Sequence, residues 1–261
     1  MASAPQNASL PLFYNDLVPL NSRDHAEYKS RTTDKAKWLI NQHAVPLTVE
    51  EFPQAQRHYP IVFSSGDQPV PLALMGLNEG VNVFVDDEGK LTENTYVPAY
   101  ARRYPFLLAR LTPEAPELSL CFDPTTDLLG PDGDGAMMFE NEQATDATKA
   151  MLQFCEQFEE AGMRTGAFVE ELKKHNLLID GEVAIQQDGS DQPFIYRGFL
   201  MVDQAKLRDV RGDVLRGWNQ SGLLPLVFAH LFSLDLMRDI FARQAAMGKG
   251  PVATPQIAPV A

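Results

Sequence analysis

Residues 51–63, EFPQAQRHYPIVF, are echoed by residues 96–109, YVPAYARRYPFLLA, and this pair governs the reading of the fold. Pro53/Pro98, Arg57/Arg102, Tyr59/Tyr104 and Pro60/Pro105 all stand 45 positions apart, and a Leu-Thr pair precedes each copy, Leu47-Thr48 and Leu91-Thr92. Proline at the start of a segment suits the first turn of a helix, where its missing N–H has no intrahelical partner to lose. Proline at the end drives the preceding tyrosine out of the helical region. Each copy therefore reads as a short helix stopped at Tyr-Pro and turned into an apolar strand. A second strand follows in both, Pro71 to Met75 and Leu118 to Phe122, giving two related strand–helix–strand–strand units over 45–76 and 89–122.

Around these copies the first half of the chain is strand-rich. Val81 to Val85 is a further apolar run, closed by the turn Asp86-Asp87-Glu88-Gly89. After residue 140 the pattern becomes helical. Met151, Cys155, Phe158, Gly162, Thr165, Val169 and Leu172 follow a 4-3-4-3-4-3 spacing with acids and lysines off the stripe, which predicts one amphipathic helix over roughly 145–174. A hairpin is expected from Glu182–Ile185 and Phe194–Tyr196 around Asp188-Gly189, and further helices over 204–221 and 225–244. Residues 1–9 and 247–261 are rich in Ala, Ser, Gly and Pro and read as disordered tails. The expected architecture is thus α+β: a globular region 10–246 with a strand-rich half, 10–140, holding two related short-helix/strand units, and a mainly helical half, 141–246, carrying one β-hairpin.

Composition narrows the function. The chain has 261 residues, 44% of them apolar, enough for a substantial core. Its 22 basic and 35 acidic residues leave a net charge of −13, which argues against gripping nucleic-acid phosphates or anionic lipid through a basic surface. Cys121 and Cys155 form neither a disulfide framework nor a CxxC knuckle, and read as buried reduced thiols. Residues 1–22 contain no Lys or Arg, so no secretory signal is expected, and the longest apolar run, 223–229, is too short to insert in a membrane. A cytoplasmic location is the expectation.

The densest hydrogen-bonding chemistry lies in the paired Arg-x-Tyr-Pro segments. Arg57, His58, Tyr59, Arg102, Arg103 and Tyr104 are the expected ligand-binding residues, since guanidinium forks match carboxylates and tyrosines close such a surface. The competing reading is structural: tyrosines packed under helix ends and arginines paired with neighbouring acids. Between Leu111 and Thr148 stand nine acids and no Lys or Arg, but a calcium loop anchored on Gly135 would put Gly130 first and Asn141 twelfth, where Asp and Glu are needed. The five histidines show no HxH or HxxxH pair, so no metal is implied, and His230 reads as a core histidine. GxGxxG, Walker, GxSxG and HExxH motifs are all missing, and with them any sign of a cofactor or a catalytic residue.

Taken in order, PLFY (11–14), VPLN (18–21), EFPQAQRHYPIVF (51–63), VNVFVDDEG (81–89), YVPAYARRYPFLLA (96–109), FIYRGFLMVDQAKL (194–207) and LPLVFAHLFSL (224–234) resemble the SapC family of bacterial surface-layer-associated proteins, distinct from the peptide-transporter permease of the same name. The family supplies no established catalytic residues, so none is carried over. Its members are similar to proteins encoded beside TonB-dependent receptors and flavin-dependent halogenase-like enzymes. The resemblance implies an accessory to uptake or modification of a small molecule or peptide. The expected function is a non-catalytic cytoplasmic binding or assembly protein recognising a protein partner or a small acidic ligand. The alternatives are an enzyme or enzyme subunit of a modification cluster with its site between the halves, and surface-layer assembly. The heptad-spaced stripe also admits a homo-oligomer through helix pairing.

Overall fold

The computed structural model describes residues 10–112, 117–186 and 193–250. The expected tail 1–9 and the hairpin turn at Asp188-Gly189 lie outside these residues, as does the tail from 251 onward. In chain order the strands are β1 (Val18–Pro19), β2 (Lys29–Ser30), β3 (Ala44–Pro46), β4 (Ile61–Phe63), β5 (Pro71–Leu74), β6 (Phe106–Ala109), β7 (Ser119–Phe122), β8 (Leu129–Gly130), β9 (Phe139–Glu140), β10 (Gln143–Ala144), β11 (Leu178–Ile185) and β12 (Phe194–Val202). The α-helices are α1 (Phe52–Ala55), α2 (Ala99–Arg103), α3 (Asp146–Lys174), α4 (Gln204–Arg208), α5 (Gly212–Ser221), α6 (Leu223–Ser233) and α7 (Met237–Ala246). The fold is α+β, with short strands dominating before residue 145 and helices with one long hairpin after it.

Two compact units form, the larger holding Tyr59-Pro60 and the smaller Tyr104-Pro105. The larger takes residues 35–99 and those from 161 onward. Its antiparallel sheet has the order β11-β12-β4-β5-β3. The expected hairpin is therefore no appendage, because Leu200 of β12 pairs with Phe63 of β4 and joins it to the first copy. At Asp180/Glu182 the hairpin ladder shifts register, and Gly181 there faces the Phe199 ring so closely that no Cβ fits. Where β12 and β4 diverge, α6 takes over the pairing: Ser233 Oγ accepts the Ile61 N–H at 2.8 Å, and His230 bridges Ile61 and Val202.

The smaller unit takes residues up to 34 and 100–160. Its three-stranded sheet has the order β1-β7-β6, matching β3-β5-β4 of the larger unit in arrangement: a hairpin follows Tyr-Pro, and a third strand pairs with the hairpin's second strand. In the second copy that third strand is β1, drawn from near the start of the chain. The expected strand at residue 89 is reduced to two isolated bridges, Lys35↔Lys90 and Val85↔Leu91. The Tyr104–Pro105 peptide is cis. Phe106, Leu108, Phe122, Leu129, Met138, Phe139 and Cys155 form this unit's core.

Other expectations shift for identifiable reasons. Residues 81–85 form no strand, because the Asn82 side chain turns inward. Its amide donates to the carbonyls of Leu39 and Gln42, and its Oδ1 accepts the Phe84 N–H at 2.8 Å, replacing a ladder with local bonds. The helix expected over 204–221 breaks between α4 and α5, where Arg211 is extended at φ −55 and ψ 142. The helix expected over 225–244 begins at Leu223 and divides at the 3-10 turn Leu234–Leu236. The long helix over 145–174 forms as α3, and of its expected stripe Cys155, Thr165, Val169 and Leu172 are buried, Met151 and Phe158 are half-buried and Gly162 is exposed, while Ala161 and Phe168 beside the stripe are buried as well.

Candidate functional site

The first copy starts with a reciprocal cap. Glu51, buried at the end of the 3-10 turn Val49–Glu51, accepts the N–H and hydroxyl of Thr48 on Oε2 at 2.8 and 3.0 Å. Its Oε1 accepts the Tyr96 hydroxyl at 2.9 Å and the Ala99 N–H at 2.6 Å, so one carboxylate closes the first helical start and also holds the segment Tyr96–Ala99 of the same unit. Downstream, Tyr59 is fully buried, with its ring edge-on to Phe84 at 4.8 Å and its hydroxyl donating to the Tyr96 carbonyl. Burial raises its phenol far above the ordinary range.

Arg57 and His58, just before Tyr59, line a cavity of about 130 Å³ inside the larger unit. Its other walls are the loop Thr92–Thr95 and α7, with Glu93, Asp239 and Arg243 as charged members. Phe84 forms a floor, with the Arg243 guanidinium 4.8 Å above its ring. Burial, then the charge of Arg57, lowers the pKa of His58, so its imidazole is neutral at pH 7. Among the described residues, Arg57, Glu93, Asp239 and Arg243 make no ion pair.

The second triplet is built differently, inside the smaller unit. Arg102 is exposed on α2 with its guanidinium 5.2 Å from the Phe154 ring. Arg103 is only 5% exposed. Its guanidinium lies 4.4 Å from the Tyr100 ring and 4.3 Å from the Phe158 ring, and Nη1 meets Glu159 at 3.3 Å. Tyr104 packs edge-on to Phe13 and Tyr14 and donates to Asp123 at 3.4 Å. Asp123, fully buried, also accepts the N–H groups of Asn15 and Thr125, both at 2.8 Å. Of the six expected ligand-binding residues, Arg57 and His58 thus share a cavity, Arg102 is exposed, and Tyr59, Arg103 and Tyr104 are packed into their units.

The acidic stretch is held by its glycines and by β2. A Cβ on Gly133 would lie 2.4 Å from the Lys29 carbonyl oxygen, and Asp134 Oδ1 accepts the Thr32 N–H at 2.9 Å. Among the described residues no group of three or more His, Cys, Asp or Glu side chains is placed to hold a metal ion. Nor is any helix long and apolar enough to cross a membrane. Burial pushes both thiols, Cys121 and Cys155, up to about 11, which leaves them unreactive near neutrality.

A second concavity, not anticipated from the sequence, is an open groove of about 550 Å³ in the larger unit between α3, α5 and α6. Ala167, Phe168, Trp218, Leu223 and Leu226 give it an apolar lining. Its two charged members are both engaged. Arg164 pairs with Glu50 at 2.5 Å, and Glu171 accepts the Trp218 indole N–H at 3.1 Å. That bond, with Lys174 and His175 alongside, holds the Glu171 carboxyl below its ordinary range.

A family model described as SapC matches residues 20–240, most of the chain and residues of both units. The chain belongs to the SapC family. No curated protein and no solved structure matches it. Within this SapC chain the whole groove lies inside the matched span, whereas the cavity reaches beyond it through Arg243. The one sequence signal for the groove was α6 itself, LLPLVFAHLFS, apolar on every side where a one-faced helix would alternate. Nothing local marked Arg243 or Asp239 as partners of Arg57.

Proposed function

We propose that this SapC-family chain is a non-catalytic binding or assembly protein, which holds an apolar segment of a partner protein in the groove between α3, α5 and α6. The observation that carries this reading is the groove's combination of size and chemistry. At about 550 Å³ it falls within the usual range for binding sites, roughly 300–1,000 Å³, yet its acid and its base are already tied to neighbours. An active site needs titratable groups converging on a substrate, and this lining presents aromatic and aliphatic carbon instead. Phe228 and Phe232, stacked at 5.7 Å and 40% and 68% exposed, give α6 a separate apolar patch outside the groove lining. An amphipathic helix offering two or three apolar anchors on successive turns is the partner chemistry that fits. The cytoplasm is the proposed compartment, being the environment in which two buried free thiols persist.

Ala167 provides the test, because it is exposed on the groove wall and its replacement removes no core contact. The full chain should enhance the fluorescence of an anilinonaphthalene dye and retain a discrete set of proteins from its own cells. Ala167→Glu should lose both without a change in melting temperature. Equal dye binding and an unchanged protein set in the variant would sink the reading.

A further inference from the structure

The polar cavity of the larger unit presents charges of both signs. Arg57 stands at the end of the first copy's helix, Glu93 on the Thr92–Thr95 loop, and Asp239 and Arg243 on successive turns of α7. All four side chains are exposed, and among the described residues none is held in an ion pair. The backbone that carries them is tied down on both sides. At one end of the loop the Thr92 N–H donates to the Phe84 carbonyl at 2.8 Å, and at the other the Tyr59 hydroxyl donates to the Tyr96 carbonyl. On the opposite wall α7 is tied down by Gln244, fully buried, whose Oε1 accepts the Leu77 N–H at 2.9 Å. The backbone on either side of the cavity therefore needs no ordering when a ligand binds, and only the exposed side chains do.

We propose that this cavity binds a small zwitterion, an α-amino acid or a compound of similar size bearing one carboxylate and one ammonium group. Arg57 and Arg243 would face the carboxylate, while Glu93 and Asp239 would face the ammonium. A simple anion is disfavoured by the two acids and a simple cation by the two arginines, so the arrangement selects for both charges together. The volume of about 130 Å³, some four water volumes at ~30 Å³ each, admits a compact molecule and excludes a folded peptide segment. Phe84 and Ile240 offer apolar carbon to the ligand's own carbon skeleton. The proposal is independent of the groove.

The test is calorimetric titration of the full chain with each of the twenty common L-amino acids. The best of them is then compared with its decarboxylated and deaminated counterparts. At least one amino acid should bind saturably with Kd near or below about 1 mM, and each counterpart should bind about tenfold more weakly or worse. Arg57→Gln and Asp239→Asn, both changes at exposed side chains, should each weaken binding about tenfold without moving the melting temperature. No saturable binding by any amino acid up to about 10 mM would overturn the proposal. So would a counterpart that binds as well as the zwitterion, or variants that bind like the parent.

Discussion

The Nδ1–H of His230 donates to the Ile61 carbonyl at 2.7 Å, tying α6 to the first strand of the Tyr-Pro hairpin. The other ring nitrogen, Nε2, accepts the Val202 N–H at 3.0 Å, which fixes the tautomer. A single fully buried imidazole thus joins two neighbouring strands at the point where their own ladder ends, and it must be neutral to do so. Protonation would turn the acceptor into a second donor facing the Val202 N–H.

A pH dependence of known sign follows. Burial is the main cause of a folded-state pKa lowered from 6.5 to about 4, with the Ile61 bond opposing it. Above pH 6.5 the ring is neutral in both states and its contribution is complete. As pH falls from 6.5 to about 4, only the unfolded chain takes up the proton, and stability drops by about 1.4 kcal/mol per unit, on the order of 3 kcal/mol in total. Urea unfolding across this window should show the loss in the parent, and a flatter profile from a lower starting point in His230→Gln. An identical slope in the variant would assign the loss to other groups.

Glu51 gives a second prediction. Its four accepted hydrogen bonds come from Thr48, Tyr96 and Ala99, and replacement by Ala orphans donors at the first helical start and along Tyr96–Ala99. Glu51→Ala should cost about 2–4 kcal/mol, more than one lost cap, because bonds to a charged acceptor contribute about 1.5–3 kcal/mol each and their loss is partly relieved by water. Thr48→Ala removes only the hydroxyl of the set and should cost about 1 kcal/mol. Chemical denaturation of both variants checks the ranking.

The repeat was legible because proline acts locally: Pro53 and Pro60, like Pro98 and Pro105, mark helix starts and strand entries whatever surrounds them. Helix α3 was legible for a similar reason, since 29 residues of amphipathic pattern outweigh local exceptions. The pairing of β12 with β4 was not, because it joins residues 63 and 200 and no local pattern encodes it. Asn82 shows the opposite failure, in which one buried amide overrules the strand preference of four apolar neighbours. At the site, Arg57 and His58 stood out as polar residues next to a helix stop, whereas Arg243 enters through the docking of α7. The groove was hidden because its lining comes from three helices, each of which reads alone as ordinary core.

At the hairpin bulge, a Cβ on Gly181 would fall 2.1 Å from a ring carbon of Phe199, which is itself 1% exposed. Gly181→Ala must displace that ring or the bulge, at about 1–3 kcal/mol. Adding Phe199→Leu should recover part of the loss, since the smaller side chain vacates the contact. A double variant less stable than the sum of the two single changes would show that the bulge backbone, and not the ring, resists the methyl group.

Phe158 separates an internal role for α3 from pairing with a second chain. Its ring lies 4.3 Å from the buried Arg103 guanidinium beside that of Tyr100 at 4.4 Å, and the two rings meet edge to face with centroids 6.0 Å apart. The phenyl is half-buried, so Phe158→Ala should cost about 2 kcal/mol, below the roughly 3–5 kcal/mol of a fully enclosed ring. Phe158→Leu keeps most of the packing but loses the cation–π contact, and about 0.5–1 kcal/mol should go with it. Because the apolar line of α3 is buried by the protein's own residues, both losses should be the same at every protein concentration. Thermal unfolding over a wide concentration range, with sedimentation of parent and Phe158→Ala, tests this directly: a parent dimer that dissociates on substitution while staying folded would show that α3 pairs between chains.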